Sequence, residues 1–250
     1  MLGLFKRKRV PTAAMPPGRR AYAIGDVHGR LDLLERLIAQ IAVDAAERGV
    51  VETDLILLGD LIDRGPESAS VVEVAMAASG DSPRVTVLKG NHEAMLGAIL
   101  AGETRRATAW LQQGGREALE SFGVDSAALD EADGATIARL AQAAIRPEVR
   151  AWLEALPLYR QIGDYLFVHA GIRPGVPIAE QVEDDLLWIR GEFLDSREDH
   201  GLVVVHGHTP RPRVVERANR IGIDTGAYYS DRLTALGLEG TDRWYLSTAD

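Results

Sequence analysis

The chain of 250 residues carries 28 Lys and Arg against 37 Asp and Glu, six His and no Cys. Its formal net charge of −9 argues against a general nucleic-acid binder, which would meet phosphates with a surplus of positive charge. The lack of cysteine excludes disulfide scaffolds, thiolate zinc sites, iron–sulfur clusters and a cysteine nucleophile, so any site chemistry must use oxygen and nitrogen ligands.

The first stretch, 1–20, holds Lys6, Arg7, Lys8, Arg9, Arg19 and Arg20 among prolines. It reads as a basic, disordered tail, suited at most to weak association with anionic lipid or an acidic partner. Its short apolar part, Leu2 to Phe5, precedes the basic cluster, the reverse of signal-peptide order. No run approaches the ~18 apolar residues of a membrane span, and the cytoplasm is the expected location.

From Ala21 the pattern becomes regular. Ala21–Ile24 is a buried strand, and Leu31, Leu34, Leu37, Ile38, Ile41 and Ala45 then recur at helical spacing. Asp54–Leu58 predicts a second strand, Ser68–Ser79 a helix and Arg84–Leu88 a third strand, a βαβαβ order that implies neighbouring strands in a covered sheet. The middle, from about Glu93 to Leu156, is Ala-rich and helical, with Gly114-Gly115 as a break. Strands follow at Tyr165–Val168, Leu202–Val205, Arg220–Ile223, Leu233–Leu238 and Trp244–Ser247. The α/β start, helical insert and β-rich finish predict one α/β sandwich domain over 21–250.

Five predicted strands end in compact polar clusters. These are Gly25-Asp26-Val27-His28-Gly29, Gly59-Asp60, Gly90-Asn91-His92-Glu93, His169-Ala170-Gly171 and Gly207-His208-Thr209. Ligands of α/β sheets bind at the carboxyl ends of strands, so these clusters can meet around one point. Asp, His and Asn are ligands for divalent Mn, Fe, Zn or Mg, and the glycines allow sharp turns and close approach to an anion. His28, His92, His169, His206 and His208 all fall in or beside these clusters, and only His200 lies elsewhere. His206 reads either as a residue supporting the ligands from behind or as the last residue of its strand. Glu93 reads as a residue that caps or packs at the start of a helix, Asp224-Thr225-Gly226 as a turn beside the site, and the four tryptophans as core, with Trp188 near enough to Arg190 to flank a pocket.

The phrases Gly25-Asp-Val-His-Gly29, Gly59-Asp-Leu-Ile-Asp-Arg-Gly-Pro66 and Gly90-Asn-His-Glu93 resemble the signature of the phosphoprotein phosphatases within the calcineurin-like metallophosphoesterases. The likeness continues through His169-Ala-Gly171, Leu187-Trp-Ile-Arg190, Gly207-His-Thr-Pro210 and Ile223-Asp-Thr-Gly-Ala227. With Trp110-Leu-Gln-Gln-Gly-Gly115 it is similar to the bacterial and bacteriophage lambda type of serine/threonine phosphatase. The resemblance implies the α/β/β/α, four-layer-like metallophosphoesterase sandwich with a helical insert.

It further implies two divalent metal ions, with manganese expected and iron, zinc or nickel also compatible. Asp26 and His28 would hold the first, Asp60 would bridge, and Asn91, His169 and His208 would complete the second. A metal-bridging hydroxide would attack phosphorus in line, Arg64 and Arg190 would grip the phosphate, and His92, oriented by Asp63, would protonate the leaving group. Pro210 stands where the other half of the superfamily has a further histidine, and His206 matches no ligand position. The implied substrate is a phosphorylated protein or peptide, with no nucleic acid and no membrane span. Two alternatives stand beside it: a symmetrical dinucleoside tetraphosphate hydrolase, a branch that tends to lack the aspartate at position 63, and a catalytically inactive binding module.

Overall fold

The computed structural model describes residues 13–249. In chain order its elements are β1 (Arg19–Ile24), α1 (Leu31–Glu47), β2 (Glu52–Leu57), α2 (Ser68–Asp81), β3 (Val85–Val87) and α3 (Asn91–Leu100). The helical stretch continues with α4 (Ala107–Trp110), α5 (Arg116–Ser121), α6 (Gly134–Ala144) and α7 (Pro147–Glu154). Then come β4 (Tyr159–Ile162), β5 (Tyr165–Val168), α8 (Glu183–Trp188), α9 (Gly191–Leu194), β6 (Val203–His206), β7 (Val215–Glu216), β8 (Arg220–Gly222), α10 (Ala227–Ser230), β9 (Thr234–Glu239) and β10 (Asp242–Ser247).

The strands form two five-stranded sheets, ordered β10-β9-β1-β2-β3 and β4-β5-β6-β8-β7. In the first, β1, β2 and β3 run parallel, with Ile24 beside Leu57, while β9 pairs antiparallel to β1. In the second, β5, β6 and β8 run parallel, with Val168 beside His206 and His206 beside Gly222. Strand side chains alternate between faces, and both faces here are apolar. Ala21, Ala23, Ile56 and Leu58 of the first sheet meet Tyr165, Phe167, Val203, Val205 and Ile221 of the second in one dry layer. Tyr22, Ile24 and Leu57 face the other way, against Leu34, Leu37, Val71 and Val72 of α1 and α2. Leu166, Val168 and Val204 bury the outer face of the second sheet against Leu186, Ile189 and Phe193. This is the expected α/β/β/α sandwich.

One expectation changes. The basic tail does not extend to residue 20. Its segment 1–12 lies outside the described residues, but Met15 is buried between the sheets and its N–H donates to the Gly240 carbonyl at 2.7 Å. Arg20 is fully buried, bonded to Glu239 at 2.7 Å and to the Ala45 and Gly49 carbonyls at the end of α1. A cation there satisfies the exposed carbonyls of a helix C-terminus, so the charge is structural. The helical insert is part of the core: Leu96, Ile99, Ala107, Trp110, Ala118, Ile137 and Val149 pack with residues of α1 and α2. The expected break at Gly114-Gly115 is there, a kink between two helical stretches with Gly114 at φ +111°. A Cβ on Gly114 would lie 2.5 Å from the Arg64 nitrogen, which here donates to the Gly114 carbonyl at 3.0 Å.

Candidate active site

The parallel strands of both sheets end on one side, and the polar clusters converge there. Six non-glycine residues among those described have positive φ, and five of them are His28, Asp60, Asp63, Arg64 and His208. Each such turn costs roughly 1–3 kcal/mol, so the strain is concentrated where the chain must aim these side chains. The close packing of the turns is just as specific: a Cβ on Gly207 would collide with the Asp26 carboxylate.

Asp60 lies between two groups of imidazoles. Its Oδ2 is 3.5 Å from His28 Nε2 and its Oδ1 is 3.4 Å from His169 Nε2. Oδ1 also accepts the His92 backbone N–H at 3.0 Å. His28 donates Nδ1–H to the Ile62 carbonyl at 2.8 Å, and His169 donates Nδ1–H to the Leu58 carbonyl at 2.9 Å. Each therefore presents an Nε2 lone pair to the centre. His169 Nε2 and His208 Nδ1 both stand 2.8 Å from Asn91 Oδ1. For His169 this sets a nitrogen lone pair against an oxygen lone pair, a contact that a cation between them relieves.

Charge points the same way. Burial, then Asp224 and Asp60, push the Asp26 carboxyl well above its usual pKa, because three carboxylates share a dry space. Burial lowers His28 to about 3 and His208 to about 2, which keeps both imidazoles neutral and able to ligate. Asp60 with His28 and His92, and Asp60 with His169 and His208, are groups whose donor atoms are close enough to hold a metal ion. Two oxygen-and-nitrogen donor sets sharing one carboxylate fit divalent metal. Asp26 lies at the same centre, its carboxylate accepting the His208 backbone N–H at 3.0 Å.

His92 is held differently from the other imidazoles. Its Nδ1 bonds Asp63 Oδ2 at 2.5 Å, and the same oxygen accepts Trp110 Nε1–H at 2.7 Å. Burial opposes the imidazolium, but Asp60 and Asp63 outweigh it and raise the His92 pKa. Arg64 reaches both histidines, with Nη1 donating to His28 Nε2 at 2.7 Å and Nη2 to His92 Nε2 at 3.0 Å. Arg190 comes from the far side and donates to the His208 carbonyl at 3.4 Å.

Every residue singled out in the sequence as a site candidate thus lies in this one cluster. His206 and His200 do not: His206 meets Phe193 edge-on with Nδ1 at the Gly207 carbonyl, and His200 stacks on the same ring. Three contributors were not assigned to the site. Glu93 is no simple cap; its carboxylate also accepts the N–H groups of Asp60 at 2.8 Å and Leu61 at 2.7 Å. Trp110 is core and at the same time fixes Asp63. Tyr228 stands edge-on to His28 at 5.4 Å, with the Arg64 guanidinium 4.7 Å from its ring. Trp188, half-exposed and 6.2 Å from the His208 ring, forms the opposite wall.

Residues 19–237 match the family model of the calcineurin-like phosphoesterases. The chain belongs to that family. Similar proteins include the symmetrical bis(5'-nucleosyl)-tetraphosphatase of Acidovorax sp. (strain JS42), 32% identical over 197 residues, 76% of this chain and 57% of that protein. Serine/threonine-protein phosphatase 1 of Salmonella typhimurium is 29% identical over 230 residues, 88% of this chain and 93% of that one. Against the symmetrical tetraphosphatases the chain spans about half their length. A Saccharomyces cerevisiae protein serine/threonine phosphatase superposes with a TM-score of 0.56 at 15% identity, over 92% of this chain and 80% of that one, a likeness of fold. The chain accordingly carries a calcineurin-like phosphoesterase domain, with Asp and His groups able to hold metal. No helix among the described residues is long and apolar enough to cross a membrane.

Proposed function

We propose that the protein is a binuclear metal-dependent phosphomonoesterase that removes phosphate from serine or threonine residues of proteins. Asp26, His28 and Asp60 would hold one divalent ion, manganese being the expected one, and Asp60, Asn91, His169 and His208 the other. Such a pair, when bound, supplies Lewis-acid polarisation of phosphoryl oxygens and acidifies water. Arg64 and Arg190 orient the phosphate and offset its growing charge with their planar forks. Once Arg64 turns toward phosphate, His92 Nε2 is free to carry a proton to the departing oxygen. Asp63 holds that imidazole in register and stabilises its charged form, as Trp110 holds Asp63.

The observation that carries this reading is the Asp63–His92 pair. His28 and His169 bond neutral carbonyls through Nδ1, whereas His92 bonds the Asp63 carboxylate, which stabilises its imidazolium and holds the ring with Nε2 toward the site, as a proton donor requires. A serine or threonine alkoxide leaves poorly without a proton. A nucleotide leaving from an anhydride needs little such help.

Hydrolysis of dinucleoside tetraphosphates is the second reading. It is favoured by the names of several relatives and by the half-exposed Trp188 and Tyr228 at the rim, which could stack a base. The metal-loaded protein is expected to show the higher kcat/KM on a phosphoserine peptide than on diadenosine tetraphosphate. A preference for the dinucleotide by orders of magnitude would replace the first reading with the second.

A further inference from the structure

At the entry of β8, the end of that strand away from His208, lies a cavity of about 340 Å³. Its walls include Asp195, Ser196 and Arg197, which follow α9, together with Arg217, Asn219 and Arg220. Arg220 is only 6% exposed, and its Nε and Nη1 have no hydrogen-bond partner. Its Nη2 donates to the Leu194 carbonyl. Among the described residues no carboxylate forms an ion pair with Arg220, Arg197 or Arg217, although Asp195 supports the Arg220 charge from a greater distance. Burial, then Arg217 and more weakly Arg211, press against that charge and lower the Arg220 pKa.

A buried guanidinium with two idle donors is costly, because it has given up water and gained only the Leu194 carbonyl in return. Asp195 lines the cavity without forming an ion pair with Arg220, and two other carboxylates are committed elsewhere: Glu216 bonds Arg243 and Tyr245, and Glu192 bonds Arg173. Asn219 pins the wall by donating to the Ser196 and Glu198 carbonyls, at 3.2 and 2.8 Å, so the loop carrying Arg197 is held against β8. The hydrolytic residues play no part here.

We propose that this cavity is a second anion-binding site, taking a multiply charged oxyanion of the size of orthophosphate between Arg197, Arg217 and Arg220. Three guanidiniums around a small space offer forked donors suited to tetrahedral oxyanions. The site stands on its own observations and does not depend on the substrate preference proposed above.

Calorimetric titration of the metal-loaded protein with orthophosphate tests it. Two phosphates per chain are expected. The double variant Arg197→Glu/Arg217→Glu, altered only at exposed positions, should bind one of them at least tenfold more weakly while phosphate still inhibits hydrolysis as before. Arg220→Gln, checked for fold by circular dichroism, should lose the same phosphate. A single phosphate per chain in the unmodified protein overturns the proposal, as does a double variant that keeps both. Retention of both by folded Arg220→Gln also overturns it, since surface charge alone would then account for the binding. Should Arg220→Gln not fold, Arg217→Lys decides instead: it keeps the charge and loses the fork, and unchanged affinity contradicts the site.

Discussion

Glu93→Gln is a change of one atom that should disable much of the site's scaffold. Glu93 Oε2 accepts the N–H groups of Asp60 and Gly90, both at 2.8 Å, and Oε1 accepts those of Leu61 at 2.7 Å and Ile62 at 3.3 Å. All lie in a side chain that is 2% exposed, so water cannot substitute. In glutamine one of the oxygens becomes an amide nitrogen. Whichever way the amide turns, one pair of N–H groups then faces a donor. At roughly 1–3 kcal/mol for each orphaned buried donor, the loss is about 2–6 kcal/mol, a large share of the ~5–15 kcal/mol that holds an ordinary domain together. The same turn carries Asp60 and the Ile62 carbonyl that orients His28, so metal affinity should fall with stability. Urea unfolding of the metal-loaded variant, with a parallel metal titration, reads both. A variant within about 0.5 kcal/mol of the parent, the scale of an inert surface change, would refute the assignment of Glu93 as the tie between these turns.

Arg20→Met should cost about 3 kcal/mol in urea unfolding, because the end of α1 loses its donors and Glu239 its partner; a cost below about 1 kcal/mol would restore the solvated-tail reading. Asp44 accepts Tyr22 at 2.5 Å, Trp244 at 2.8 Å and Arg48. Burial opposes its ionisation, but these bonds hold its pKa below the ordinary value. The folded pKa lies below the unfolded one, so the contribution is complete above about pH 4 and fades as pH falls through the folded value. Asp44→Asn should flatten that acid limb in unfolding measured from pH 6 downward, and an unchanged limb would contradict the sign. Chelation should lower the unfolding temperature by about 5–10 °C, since an ion present at about a hundred times its Kd adds about 2.7 kcal/mol and Asp26, Asp60 and Asp224 repel without it. An unmoved transition would mean that the donor sets hold no ion of consequence.

The sandwich was legible because its strands are short apolar runs ending in Gly-Asp, Gly-Asn-His or Gly-His, a pattern that marks both the buried element and its functional end. The candidate ligands could be read for the same reason, each being a donor residue at a strand terminus. Partnership across the chain was not legible. Arg20 belongs to a basic run in sequence, and only the fold reveals Glu239 and the carbonyls of α1 around it. Trp110 and Glu93 have the composition of core and cap, and their bonds to Asp63 and to the Asp60 turn join residues 47 and 33 positions apart. The strands β4 and β7 escaped because they are short and largely exposed, with Tyr159, Arg160, Gln161 and Glu216 facing water and no apolar alternation to mark them.

The proposed function depends most on His92 as the proton donor to a poor leaving group, and leaving-group dependence tests that directly. In His92→Asn, kcat/KM for a phosphoserine peptide should fall by about 10²–10⁴, the usual range for a positioned acid, while p-nitrophenyl phosphate, whose phenolate leaves unaided, loses at least tenfold less. Equal losses on the two substrates would contradict the account.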